Sequence, residues 1–268
     1  MCSFSADWLA LREPVDAAAR NRELTTRLCD WRRKQGALSV LDLGSGTGAN
    51  CRFLAPLLGG DQHWRLVDHD PALLAAIDPL QDSSGLLRRE TTALDLAGSW
   101  ERLEKPPADL VTASALLDLV STDWLARLAR RCQTWRAAVF IVLSYDGTIC
   151  WEPALAGDDR VRDWINRHQR TAKEFGPALG PDAAPTLAAL LKERGYPVAL
   201  RPSPWLLGPE HAPLQHALLT GWVAAVREIA PEPADELAAW AEQRRLLIEQ
   251  GRTRLAVGHW DLFAAFTS

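Results

Sequence analysis

Apolar runs of six to eight residues alternate with amphipathic stretches over most of this chain. Residues 15–35 carry Ala18, Leu24, Leu28 and Trp31 near one helical face, and Gly36 is placed to end that helix. "ALSVLDL" then reads as a strand, followed by a glycine loop and a helix through "ANCRFLAPLL" that Gly59 and Gly60 terminate. The pattern repeats. A strand is expected at 63–68, a helix from Pro71, a strand near "LLRRETTAL", a fourth strand at 108–114, and a helix at 121–132 capped by Ser121 or Thr122. "AAVFIVLS" at 137–144 is almost wholly apolar, as a strand covered on both faces should be.

Beyond residue 144 the spacing stretches. Residues 145–180 form an insertion before the helix "PDAAPTLAALLKERGY", which Gly195 stops, and "YPVALRPS" follows as a sixth strand. A second insertion, 208–252, carries two amphipathic helices, one with Leu214, Leu218, Trp222, Val226 and Ile229, the other with Leu237, Trp240, Ala241, Leu247 and Ile248. "RLAVGHWDLFAAF" closes the sheet as a seventh strand. The expectation is an α/β fold with a doubly wound, mostly parallel sheet and right-handed crossovers. Both insertions leave from the carboxyl ends of strands, after the fifth and the sixth, where a parallel sheet binds its ligand. They are therefore expected to form a helical lid. The chain is read as one domain over 1–268, with an N-terminal helical segment at 1–36, a core at 37–144, the lid insertions, and the rest of the core at 181–207 and 253–268.

Bulk properties narrow the partners. A net charge of -4, from 30 basic and 34 acidic side chains, argues against a dedicated phosphate-backbone binder. Five widely spaced cysteines with no C-x-x-C suggest neither a disulfide framework nor a zinc knuckle. No His/Cys/carboxylate cluster has metal spacing. "MCSFSADWLALREP" lacks a basic flank and apolar core, and no apolar run reaches the ~20 residues of a membrane span, so a soluble cytoplasmic protein is expected. Twelve tryptophans are read mainly as packing residues.

"LDLGSGTGAN" at 41–50 admits two chemistries. Gly44, Gly46 and Ala49 fit the G-x-G-x-x-G/A dinucleotide fingerprint, whereas Gly44, Gly46 and Gly48 form a G-x-G-x-G loop. In either, the loop lies between a strand and a helix, where backbone N–H groups approach a ligand. An acid ending the second strand would accept ribose hydroxyls; Asp68 is preferred to Asp70 because Pro71 starts a helix directly after Asp70. There is no Tyr-x-x-x-Lys pair, since residues 149 and 200 are Ile and Leu.

Through "VLDLGSGTG", "RLVDHD", "ALDLA" and "ADLVTASALLDLV", in order and in register, residues 38–144 resemble the small-molecule branch of the class I S-adenosylmethionine-dependent methyltransferases. Residues 181–207 and 253–268 do so more loosely. The resemblance implies a seven-stranded sheet whose last strand is antiparallel, and S-adenosylmethionine as cofactor, with S-adenosylhomocysteine as product. It implies that Gly44, Gly46 and Gly48 approach the methionine portion, Asp68 holds the ribose, Asp95 with Leu96 meets the adenine, and Ser114 lies near the amino group. Arg12 either pairs with the methionine carboxylate or is solvated. The expected activity is in-line methyl transfer to an O, N or S nucleophile of a small molecule. An NAD(P)-dependent oxidoreductase, a non-catalytic cofactor-binding protein on the same scaffold, and aminopropyl transfer are the competing readings.

Methyl transfer needs alignment and dryness first, and a base only where the nucleophile arrives protonated. Val161, Trp164, Ile165 and His168 share one helical face, so His168 is either a satisfied core residue or a base facing the pocket. Tyr145, at the edge of the expected site, is the second catalytic candidate. Asp118, Asn166, Arg167 and Arg170 are the substrate candidates; the alternative for the arginines is a solvated helix face. Arg244, within an apolar stripe, has either a buried anion partner or a snorkelling stem. No N/D-P-P-Y/F sequence follows the fourth strand, and neither nucleic acid nor membrane is expected as a partner.

Overall fold

The computed structural model describes residues 5–77, 86–98, 103, 107–230 and 234–266. The first four residues, on which the reading of the N-terminus partly rests, lie outside that set. The parallel half of the sheet consists of β1 (Leu38–Leu43), β2 (Gln62–Asp68), β3 (Leu87–Ala93), β4 (Leu110–Ser114) and the start of β5 (Ala138–Glu152). A two-residue hairpin pair, β6 (Ala172–Lys173) and β7 (Gly176–Pro177), stands apart from it. β8 (Val198–Pro202) and β9 (Trp205–Leu207) both pair with the antiparallel β10 (Arg254–Ala264). The order is β3-β2-β1-β4-β5-β10-β8, with β9 beside β10. Strand order reverses between β1 and β4, the switch point at which such sheets open a ligand crevice.

Core strands bury both faces because their apolar residues alternate between two clusters. In β5, Phe140 and Val142 join one cluster while Val139 and Ile141 join the other. Onto the first face pack α2 (Arg22–Arg32), α3 (Ala49–Leu58), α8 (Ala212–Ile229) and α9 (Ala234–Glu249); onto the second pack α5 (Thr122–Trp135) and α7 (Ala183–Glu193). α4 (Pro71–Ala75) follows β2, and α6 (Asp158–Gln169) lies against β5 and α8.

Three expected elements change. The helix at 15–35 is two helices, α1 (Ala6–Ala19) and α2, because Asn21 caps α2 with its side chain while its backbone N–H donates to Asp261 at 2.8 Å. The fifth strand does not end at 144. Ile149 and Trp151 are buried while Thr148, Cys150 and Glu152 are exposed, a period-two pattern that keeps β5 paired with β10 up to Glu152↔Arg254. The sixth strand is broken, since Ser203 turns inward to give its hydroxyl to Asp261 at 2.6 Å and its N–H to the His259 carbonyl at 2.8 Å, and the chain re-enters the sheet as β9. Ser121 is the cap of α5.

The two insertions meet as anticipated from topology. α6 packs on α8, α8 on α9, and α1 on both α8 and β9. Arg244 resolves in favour of a buried anion: it is 0% exposed, pairs with Asp158 of α6, donates to the Pro153 carbonyl at 2.8 Å, and stacks on Trp151 at 4.9 Å.

Candidate functional site

The glycine loop leaves β1 with Gly44, Gly46 and Gly48 at φ of 64°, 52° and 81°. All three occupy the left-handed region, which other residues reach only with strain. Side chains close in on that backbone: a Cβ on Gly44 would lie 3.2 Å from Leu116, on Gly46 3.0 Å from Leu9, and on Gly48 3.3 Å from Ile77. Gly46 donates its N–H to Asp68 Oδ2 at 2.8 Å, tying the loop to the end of β2. The other carboxylate oxygen of Asp68 accepts from Asp70 N–H at 3.0 Å and sits 3.2 Å from His69 Nδ1. Asp70 itself caps α4, accepting from Ala72 N–H at 2.8 Å, so Asp68 is the acid beside the loop.

Asp95, just past β3, is exposed and bonded to Ala97 N–H at 2.8 Å. Leu96 is buried, and its carbonyl receives the Trp124 indole N–H at 2.8 Å. Ser114, at the end of β4, is partly buried and 3.4 Å from the Arg20 guanidinium.

Beneath the loop lies a polar network absent from the expected set. Asn50, in the first turn of α3, donates to Asp42 at 2.8 Å and to the Thr112 hydroxyl at 3.0 Å, and its amide oxygen accepts from Arg20 at 2.9 Å. Thr112 in turn donates to the Phe140 carbonyl at 2.7 Å. Burial pushes the Asp42 carboxyl up to about 7, opposed by the Asn50 hydrogen bond and by the charge of Arg20. Burial likewise lowers Arg20, whose carboxylate neighbours Asp261, Asp16 and Asp42 act the other way. The signal was one charged residue inside "VLDL" and one amide inside an apolar helix start.

On the other side of the loop, α1 turns Leu9 toward Gly46 and, one turn on, Arg12 toward β9. Arg12 forms a two-pronged ion pair with Asp16 at 2.8 and 3.2 Å and stacks over Trp205 at 5.0 Å; Trp205 donates its indole N–H to the same carboxylate at 3.0 Å. Arg12 is thus neither solvated nor free to serve as an unpaired carboxylate clamp. Trp205 packs at 4.9 Å on His259, which lies opposite Tyr145 in the β5/β10 register, ring centroids 6.3 Å apart. Gly258, before His259, leaves room for the Asp146 carboxylate, which a Cβ there would displace. Tyr145 donates to Asn166 at 2.9 Å, and Asn166 donates to the Gly147 carbonyl at 2.9 Å. Asp118 follows Leu116 in a short 3-10 turn, Leu117–Leu119; burial pushes its carboxyl up, and the charge of Arg12 opposes this. Burial raises the Tyr145 hydroxyl too, helped by the charges of Asp146 and Asp118, so it stays protonated.

The remaining candidates lie on α6 or just beyond its end. His168 meets Glu228 of α8 at 2.9 Å and Lys173 at 3.5 Å, so on the inner face of α6 it takes the first of its two expected roles, a satisfied residue, here at the contact between the insertions. Arg167 is exposed, and Arg170 pairs with Asp182 at 2.9 Å. Of the six acceptor-side candidates, Tyr145, Asn166, Asp118 and Arg170 come together: Arg170 donates to the Asn166 carbonyl at 3.2 Å, and the charges of Asp118 and Arg170 both act on the Tyr145 hydroxyl. Among the described residues no group of His, Cys, Asp and Glu could hold a metal ion, and no helix is long and apolar enough to cross a membrane.

No family model matches the chain, and no curated protein matches it in sequence. Solved structures match it in fold. The chain is similar to a cyclopropane-fatty-acyl-phospholipid synthase-like protein from Lactobacillus casei, at 14% identity and a TM-score of 0.58, over 98% of this chain and 94% of that one. It is similar to the cyclopropane synthase MmaA2 from Mycobacterium tuberculosis, at 16% identity and a TM-score of 0.51, over 98% and 95%. A putative methyltransferase from Bacillus halodurans C-125 is similar at 14% identity and a TM-score of 0.50, over 91% and 99%. The chain has the class I methyltransferase fold. In that fold β8 and β10 are the sixth and seventh strands, and the glycine loop sits at the switch point beside Asp68. The residues present fit an adenosyl donor: three left-handed glycines carry the backbone through the switch point without side chains, Asp68 sits beside them, and Leu9, Ile77 and Leu116 supply apolar walls.

Proposed function

We propose that this protein is an S-adenosylmethionine-dependent methyltransferase acting on a small molecule. The observation that carries the reading is the union of three left-handed glycines with the Gly46-to-Asp68 hydrogen bond, on a sheet with the methyltransferase strand order. In this reading the glycine backbone and Asp68 hold the donor, whose sulfonium supplies an electrophilic methyl group. Asp95 and Leu96 border the adenine and Ser114 the amino-acid end. Leu9 and Leu116 exclude water from the loop, and Asp118, with its raised carboxyl, takes the proton of an acceptor that arrives protonated.

Binding tests it. S-adenosylhomocysteine at a hundredfold over its Kd stabilises a native protein by about 2.7 kcal/mol, which a thermal melt resolves. Wild type should show that upward shift, Asp68→Ala should lose it, and NAD or NADP should produce none. A melt unmoved by S-adenosylhomocysteine, or moved by NAD, refutes the proposal. Asp118→Asn should keep the shift and lose turnover of a hydroxyl acceptor; full turnover removes Asp118 from the chemistry.

A further inference from the structure

β5 changes face in the middle of its run. Phe140 and Val142 belong to one core cluster and Val139 and Ile141 to the other, so strict alternation would send Leu143 and Tyr145 with Ile141. Instead Leu143 and Tyr145 stay with Val142, and Ile149 and Trp151 follow them. The cause is a one-residue bulge. Ser144 pairs with Trp260 and Ile141 with Leu262, which leaves Asp261 alone opposite both Val142 and Leu143. Leu143 takes a φ of 55°, a left-handed position that a bulge ordinarily gives to glycine. Its N–H donates to the Asp261 carboxylate at 2.8 Å, which also accepts from the Ser203 hydroxyl and the Asn21 N–H. Among the described residues, three other than glycine have a positive φ. Arg136 is the C-cap of α5, where that is ordinary, whereas Ala115 and Leu143 end the neighbouring strands β4 and β5 at the crevice, Ala115 N–H donating to the Val142 carbonyl at 3.0 Å.

We infer that Asp261 is a positioning residue for the acceptor side: it holds Leu143 left-handed, and the resulting bulge turns Tyr145 toward Asn166 and away from the opposite face of the sheet. The inference rests on the methyl-transfer reading for the role of that side. Bulges beside active sites re-aim a side chain, and this one re-aims the residue whose hydroxyl bonds to Asn166 and feels the charges of Asp118 and Arg170. Asp261 acts through the backbone of Leu143, two residues before Tyr145. A left-handed leucine is disfavoured by about 5- to 30-fold, and a carboxylate, the stronger kind of acceptor, offsets this at its N–H. The same carboxylate fixes Asn21 at the start of α2 and Ser203 between β8 and β9, so the direction of Tyr145 is tied to the packing of α2 and to β9, whose Trp205 lies under Arg12.

The chain has two tyrosines, so fluorine NMR of the full chain labelled with fluorotyrosine tests this; Tyr196, its hydroxyl on the Ala137 carbonyl at 2.9 Å, reports the rest of the fold. Asp261→Ala should add a second Tyr145 signal, its share rising about 5- to 30-fold over wild type, with Tyr196 unmoved. Asp261→Asn keeps an oxygen for Leu143 N–H and Ser203→Ala removes only another donor, so both should keep the wild-type Tyr145 signal. Leu143→Ala and Leu143→Gly, with Asp261 in place, leave nearly the same space and differ in the left-handed position. Urea unfolding should therefore favour folded Gly over Ala by about fivefold or more, the reverse of their order in a regular strand, and this pair decides the matter where Asp261→Ala does not fold. A Tyr145 signal unmoved in folded Asp261→Ala, both tyrosine signals moving together, or Leu143→Ala as stable as Leu143→Gly overturns the inference. All these measurements are made without donor or acceptor, so a missing S-adenosylhomocysteine shift would instead remove the donor reading and leave the role of Asp261 standing.

Discussion

Asp42→Asn and His259→Gln, made singly, should separate two titrations that oppose each other in the native chain. Asp42 rises from 3.8 to about 7 on folding, so between those values the folded state keeps a proton that the unfolded chain has released, and its contribution to stability falls as pH rises. His259 drops from 6.5 to about 3, because burial and the charge of Arg12 both disfavour the imidazolium. Through that window the unfolded chain holds the extra proton, so the His259 contribution grows as pH rises. Each group changes stability by at most about 1.4 kcal/mol per pH unit, so over the shared window the two nearly cancel. Asp118 and Asp261, both raised by burial, add to the falling side in all variants, which makes the comparison with wild type the informative quantity. Urea unfolding followed by tryptophan fluorescence at pH 4.5 and 6.5 gives the slopes. Relative to wild type, Asp42→Asn should gain stability across that interval and His259→Gln should lose it, each on the order of 3 kcal/mol. Variants whose pH profiles run parallel to wild type would show that neither group titrates as its surroundings dictate, and the reasoning would fail.

Gly46→Ala places a methyl group 3.0 Å from Leu9 at a φ of 52°, and should cost about 1–2 kcal/mol and most of the S-adenosylhomocysteine shift. Adding Leu9→Ala should recover only part of the loss, since the backbone conformation stays unfavourable; full recovery would show that contact alone keeps this position a glycine. Arg244→Met breaks a buried ion pair while Asp158 keeps the Trp240 indole and Leu155 N–H as donors, at 2.8 Å each, so the loss should sit near the lower end of the 3–5 kcal/mol such breaks cost. Asp158→Asn should then cost far less when combined with Arg244→Met than alone, and strict additivity in urea melts would contradict the pairing.

Much of the fold was legible because the period-two and period-3.6 patterns of the core strands and helices report directly on which faces are covered. "LDLGSGTG" announced three left-handed positions because only glycine adopts them without strain, and Pro71 correctly marked Asp70 as a cap, leaving Asp68 beside the loop. Local pattern could not show the break at Asn21 or the turn at Ser203, because both are held by Asp261, more than fifty residues away in the chain. The acceptor side was less legible still. His168 carried the periodicity of an inward-facing residue, yet the inside of α6 at that position is α8 and Glu228. His259 lay in a strand whose apolar run gave no reason to single it out. The sequence by itself determined the sheet, the loop and the acid that serves it, since these follow from backbone conformation and neighbours close in the chain. Only the tertiary structure decided which side chains gather beyond the loop, because Arg12, Asp118, Tyr145, Trp205 and His259 come from five separate segments whose meeting depends on how α1 and the β5/β10 ribbon pack.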